Sequence, residues 1–218
     1  MSNRAQEPPS LPTATAERLA MYLRELQRLG RAGEPSVSSH ALGTALGVSA
    51  DVIRKDMVAL GHAGRRGVGY PVQECETRIR ELLGQSRRWR VLLLGAGSLG
   101  RALTRYRGFS QQGLDLVAAI DQDVRLVGQS IGHVEIYDPS QLPEIVQRLA
   151  IDLAVLAVPA EAASGLAKQL ADAGVAGILN FAPVTLASDP RIEIRNVDLS
   201  SELLQLAFSA RRSGRLRS

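Results

Sequence analysis

From residue 16 onward apolar side chains recur at steps of three and four. Leu19, Tyr22, Leu23, Leu26 and Leu29 make one stripe, and Gly30 and Gly33 close it. This period predicts an amphipathic helix of about four turns. Ser38 or Ser39 is placed to cap a second helix carrying Leu42, Ala45 and Leu46, with Gly47 in the turn, and Ser49 to cap a third carrying Val52, Ile53, Met57 and Leu60. The stretch 64–72 then breaks the helical period with three glycines, Gly67 among them, and carries Arg65 and Arg66 at its tip. It reads as a hairpin-like wing. Helix, helix, tight turn, helix and basic wing is the order of a winged helix-turn-helix, whose third helix enters the major groove.

After a connecting helix expected over residues 73–83 the pattern switches. Apolar strands are expected at 91–94, 116–120, 134–137, 153–158 and 177–181, with helices at 99–107, 139–149 and 161–173 between them. A strand at 192–196 and a helix from 200 to about 210 complete the chain. Alternating buried strands and helices predict a parallel sheet covered on both faces. The fold class is therefore α/β. The expected boundaries are a disordered leader over 1–15, a winged-helix domain over 16–85, a Rossmann-like parallel-sheet domain over 86–198, a terminal helix over 199–210 and a basic tail over 211–218.

Composition adds little to this and excludes some classes. With 218 residues, 45% hydrophobic and 22% charged, the chain is an ordinary globular one with room for two domains of about 85 and 125 residues. Its one cysteine, Cys75, cannot pair internally, and no Cys/His cluster has the spacing of a structural zinc, so no metal is expected. No apolar run approaches a membrane span, and the first fifteen residues lack the core of a signal peptide, so a cytoplasmic protein is expected. Charge is more telling. Residues 1–90 carry 14 basic and 9 acidic side chains, residues 91–210 carry 8 and 13, and Arg211, Arg212, Arg215 and Arg217 crowd the end. A basic first half suits a polyanion.

The run Gly95-Ala96-Gly97-Ser98-Leu99-Gly100 follows a predicted strand and opens a predicted helix, the context a dinucleotide-binding GxGxxG requires. The first glycine permits the tight turn, the second lets backbone approach a pyrophosphate, and the third allows helix to pack on strand. Asp121, at the end of the second strand, is placed to accept from ribose hydroxyls and to repel a 2′-phosphate, which favours NAD over NADP; alternatively it merely ends a strand. Val158 and Pro159, and Asn180 and Phe181 in Asn-Phe-Ala-Pro, fall at strand ends facing the crevice. They either line the nicotinamide side or are simple punctuation.

A dehydrogenase needs a proton-shuttling group beside the hydride acceptor. No Tyr-x-x-x-Lys is present, Lys168 is the only lysine in residues 91–210, and His40 and His62 belong to the first half. With no catalytic residue in evidence, the reading is a nucleotide sensor. A small NAD-dependent oxidoreductase with an appended DNA-binding-like domain remains the alternative, and a CoA-ligase-like module has the same general layout.

The matching stretches Ile53-Arg54-Lys55-Asp56, Arg66-Gly67-Val68-Gly69-Tyr70, the 95–100 run, Asn180-Phe181-Ala182-Pro183 and Asn196-Val197-Asp198-Leu199 together resemble the Rex family of bacterial redox-sensing transcriptional repressors over residues 16–210. The resemblance implies a homodimer with a domain-swapped C-terminal helix and a pseudo-palindromic double-stranded operator. It also implies that NADH releases the DNA whereas NAD+ permits binding. It further implies that Arg18, Tyr106 and Asp198 exchange hydrogen-bonding partners between the two states, with Tyr106 near the cofactor. On the DNA side, contacts are expected from Arg54 and Lys55, from the helix starts at Ser38, Ser39 and Ser49, and from Arg65, Arg66 and Gly67 of the wing. Two departures stand out: Leu199 where some relatives carry Phe at the inserted tip, and Leu60-Gly61-His62 in place of a more aromatic stretch.

Overall fold

In the computed structural model, which describes residues 11–65, 67–84 and 87–212, the first apolar stripe forms α1 (Thr13–Arg31). The helix thus takes in the last three residues of the expected leader. Pro12 precedes it, its carbonyl accepting from the N–H groups of Thr15 and Ala16, and the Thr15 hydroxyl is buried against Asp56. A tertiary bond fastens residues that have no apolar period. Residues 1–10 of the leader, Arg66, and residues 213–218 of the basic tail lie outside the described residues.

Then follow β1 (Ser36–Val37), α2 (Ser39–Leu46), α3 (Ala50–Ala59), β2 (Tyr70–Pro71) and α4 (Val72–Leu82). Ser38 caps α2 by accepting from Ala41 N–H, Ser49 caps α3 by accepting from Val52 N–H, and Gly47 ends α2 at φ 67°. Arg65 and Gly69 exchange two backbone hydrogen bonds of 2.9 Å, and β1 pairs antiparallel with β2, so the wing is a short hairpin. Leu19, Tyr22, Leu23 and Leu26 of α1, Leu42 of α2, Ile53 and Met57 of α3 and Cys75 and Ile79 of α4 form the core between the four helices. Burial pushes the Cys75 thiol up to about 11, so almost none of it is thiolate at neutral pH.

The chain divides into two compact units after Arg87. The second contains β3 (Trp89–Leu94), α5 (Ser98–Arg105), α6 (Gly108–Gln111), β4 (Leu114–Ile120), β5 (Ser130–Ile131), β6 (Val134–Tyr137), α7 (Leu142–Arg148), β7 (Leu153–Leu156), α8 (Ala160–Asp172), β8 (Gly177–Asn180), β9 (Glu193–Asn196) and α9 (Leu199–Arg212). The sheet order is β5-β6-β4-β3-β7-β8-β9. Every pair is parallel except β5 with β6. The strand order reverses at β3 and β7, where an open α/β sheet leaves a crevice at its carboxyl ends.

Four expectations change. The sheet is mixed, because the two-residue β5 folds back on β6, and so short a strand leaves no periodic trace. The helix expected at 139–149 begins as a 3-10 turn, Pro139–Gln141, capped by Asp138, before α7 starts. Among the described residues the two faces are covered unequally. Helices α7 and α8 pack on Leu92, Leu94, Ala118, Ile120 and Leu156, whereas on the other face Leu103 and Phe109 cover only the part near β3 and β4. There an apolar groove of about 270 Å³ lies open, with Leu153, Val155 and Leu179 on its floor and Glu193 and Arg195 at its rim. Helix α9 reaches Arg212, so the tail's first two residues are helical, and Leu199, Leu203, Leu204, Leu206 and Phe208 all stay exposed on it. No helix among the described residues is long and apolar enough to cross a membrane.

Candidate functional site

The glycine run sits at the crevice. Gly95, at φ 97°, lies where a side chain would collide with the Ala157 carbonyl at the end of β7, and a side chain on Gly100 would collide with the Gly95 carbonyl. Both positions require glycine because backbone meets backbone. At Gly97 a side chain would meet open space. Gly97 stands at the N-cap of α5 and has no side chain to cap it, leaving the helix start, with Ser98 and Leu99, free for an anion. Ala96 is buried and its N–H donates to Asp121 Oδ2 at 2.6 Å. Asp121 Oδ1 accepts from Asp123 N–H at 2.8 Å, and Arg101 Nε donates to the Ala96 carbonyl at 3.0 Å. The loop is thereby latched from both sides.

A cavity of about 430 Å³ opens beside it, lined by Gly95, Gly97, Asp121, Gln122, Val158 and Pro159 among others. Val158 and Pro159 thus line the same cavity as the Asp121 carboxylate. Asn180 is buried, and its amide works inside the fold: it donates to the Val184 carbonyl and to Asn196 Oδ1, both at 2.8 Å, and accepts from Ala182 N–H. Its side chain shapes the 181–186 loop and is not offered to a ligand. Phe181 is half-buried against the α5 and α6 side of the sheet.

In the first unit Ser38, Ser49, Arg54, Lys55, Arg65 and Gly67 are exposed and Ser39 is half-buried. Arg54 bridges α2 and α3, donating to Ser39 Oγ at 3.1 Å and pairing with Asp51. A guanidinium so held is pre-placed beside the start of α3.

Of the residues expected to exchange partners, Tyr106 caps the end of α5 with its ring 61% exposed and edge-on to Phe109 at 5.2 Å. Asp198 accepts from Ser200 N–H, Ser201 N–H and Ser201 Oγ at the start of α9, bonds that hold its carboxyl below the usual range. Arg18 is engaged by Asp56 of α3: Nε donates to Oδ2 at 2.7 Å and Nη2 to Oδ1 at 2.8 Å. Thr15 and Tyr22 donate to the same carboxylate. Burial pushes the Asp56 carboxyl up, but the donors from Arg18, Tyr22 and Thr15 outweigh it and hold it below the ordinary value. Tyr22 is pushed up to about 12, by burial first and then by its bond to Asp56. Thr15, Tyr22 and Asp56 escaped the sequence reading as site residues. The available signal was a carboxylate on α3's apolar face, between Ile53 and Met57.

Residues 86–184 match a family model described as a CoA binding domain, and residues 10–57 match one described as "Putative DNA-binding protein N-terminus". The redox-sensing transcriptional repressor Rex of Rhodopirellula baltica is 46% identical over 198 residues, covering 91% of this chain and 84% of that protein. Two crystal structures of RSP resemble the chain over 94% of its length. One, in complex with beta-NAD+ and operator DNA, has a TM-score of 0.86 at 31% identity and is 94% covered. The other, in complex with beta-NADH, has a TM-score of 0.83 at 30% identity and is 96% covered.

Proposed function

Because this chain belongs to the Rex family of redox-sensing transcriptional repressors, we propose that its second unit reads the NADH/NAD+ ratio and its first unit reports it to an operator. The observation that carries this is the latched loop at the 430 Å³ cavity, with open space at Gly97 and an uncapped helix start behind it. That arrangement fits a dinucleotide. The start of α5 at Gly97, Ser98 and Leu99 would hold the pyrophosphate, and Asp121 the adenosine ribose, with Val158 and Pro159 against the adenosine. Ala96, Gly95 and Gly100 support the loop, and Phe181 and Tyr106 belong to the nicotinamide end. Nicotinamide chemistry is available in the bound group, but the chain reads its oxidation state and acts as a repressor, not an enzyme.

On the operator, α3 enters the major groove with Arg54 and Lys55, the helix starts at Ser38, Ser39 and Ser49 meet phosphates, and Arg65 with Gly67 of the wing enters the minor groove. The protein holds DNA as a homodimer in the cytoplasm, on two half-sites. Helix α9 of one protomer covers its partner, its exposed leucines and Phe208 suiting an apolar surface such as the groove along β7 to β9. Arg18, Tyr106 and Asp198 exchange partners as the protein passes between its two states. Fluorescence titration with NADH and NADPH, with turnover followed in the same cuvette, tests the cofactor assignment. Tight NADH binding without oxidation supports it, and turnover of a small carbonyl substrate would replace it with the oxidoreductase reading.

A further inference from the structure

Among the described residues of the first unit, Asp56 is the only buried charged side chain, 3% exposed. It sits on the inner face of α3 between Ile53 and Met57, each fully buried, with Leu60 one turn on. Apolar contacts of that kind hold a helix against a core but carry little directional information, so they allow small rotations and slides. The carboxylate is different. It accepts four hydrogen bonds from three side chains of α1: Thr15 Oγ1 at 2.8 Å, Arg18 Nε at 2.7 Å, Arg18 Nη2 at 2.8 Å, and the Tyr22 hydroxyl. Thr15, Arg18 and Tyr22 lie at spacings of three and four along one face of α1. The planar guanidinium fixes the carboxylate plane as well as its distance.

Arg54 and Lys55, the two residues before it, are exposed on α3. Any rotation of α3 that breaks the fork on Asp56 turns Lys55 through the same angle. Burying such a pair costs about as much in desolvation as it returns, so stability alone does not account for it.

We propose that Asp56 is a positioning residue for operator recognition: clasped by Thr15, Arg18 and Tyr22, it sets the rotation of α3 and so aims Arg54 and Lys55 at base edges. This rests on the reading of α3 as the helix that enters the groove. It makes α1 the handle by which the recognition helix is turned.

The test uses the full chain, the duplex that the parent protein selects from a random-sequence pool, and a scrambled version of that duplex. Asp56→Asn keeps the shape and removes the charge. Its affinity for the selected duplex should fall by about tenfold or more, while scrambled-duplex binding, carried by phosphate contacts, stays within about twofold of parent. A merely structural role would instead lower both DNA affinities together with the melting temperature. Thr15→Val/Tyr22→Phe retains the ion pair and removes two of the four bonds, and should lose discrimination by about threefold; it decides the matter if Asp56→Asn does not fold. Unchanged discrimination in the folded variant overturns the proposal, as does a parent that selects no duplex. A parent that selects a duplex but keeps it in the presence of NADH refutes the redox reading and leaves the positioning role standing.

Discussion

The Ala96 backbone N–H donates to the Asp121 carboxylate at 2.6 Å. One side chain at the end of β4 thus braces the glycine-rich loop and lines the cavity where the ribose is proposed to sit. Asp121→Ala removes both roles at once. Loss of a charge-assisted bond is worth about 2 kcal/mol, so NADH affinity should fall roughly thirtyfold and the preference over NADPH should narrow. Calorimetric titration with both nucleotides checks this. A parent that binds NADPH as well as NADH would contradict the ribose argument.

Gly97 and Gly100 should behave differently although both are glycines of one motif. Gly97→Ala places a methyl in open space, so the variant should melt with the parent yet bind NADH about tenfold more weakly or worse, because the methyl stands where the pyrophosphate would approach. Gly100→Ala drives its methyl into the Gly95 carbonyl, so it should lower the melting temperature of the second unit as well. Parent-like NADH affinity in Gly97→Ala would remove the pyrophosphate from that place.

Leu199, Leu203 and Leu206 recur at helical spacing on α9 and are 58%, 66% and 64% exposed. A charge on that stripe opposes its burial against a second copy. Leu203→Glu/Leu206→Glu should therefore sediment as a monomer at concentrations where the parent is a dimer, and should lose operator affinity with it. A dimer of unchanged stability would place the interface elsewhere.

The Asp56 carboxyl is held below its ordinary value in the folded chain. As pH falls, the unfolded chain takes up that proton first. The contribution is therefore complete above the ordinary carboxylate value of about 4 and is lost as pH drops below it toward the folded value. Thermal melts of the parent between neutral pH and pH about 3 should show a steeper loss in the first unit than Asp56→Asn does. Equal slopes would mean that Asp56 is not held as a charged group.

Legibility in the sequence followed the range of the interactions. Caps and turns are local, so Ser38, Ser49 and Gly47 stood where the pattern put them, and the glycine run lay between its strand and helix. Bonds between distant residues left no periodic mark. Thr15 and Tyr22 meet Asp56 across 41 and 34 residues, and Asn180 meets Asn196 across 16. Each of these polar side chains reads alone as a cap, a core ring or a lining residue until its partner is known. Tyr106 became a candidate only through family resemblance, since a lone aromatic in that stretch carries no periodic mark of its exposure at the end of α5.

The central claim, that one chain couples the oxidation state of a nicotinamide dinucleotide to DNA release, is tested most directly by a mobility-shift titration. The duplex that the protein itself selects is held at saturation and titrated in parallel with NADH and with NAD+. The account predicts that NADH dissociates the complex at concentrations where NAD+ leaves it bound, and that added NAD+ shifts the NADH midpoint upward by competition. A complex indifferent to both nucleotides, or released equally by each, would contradict it.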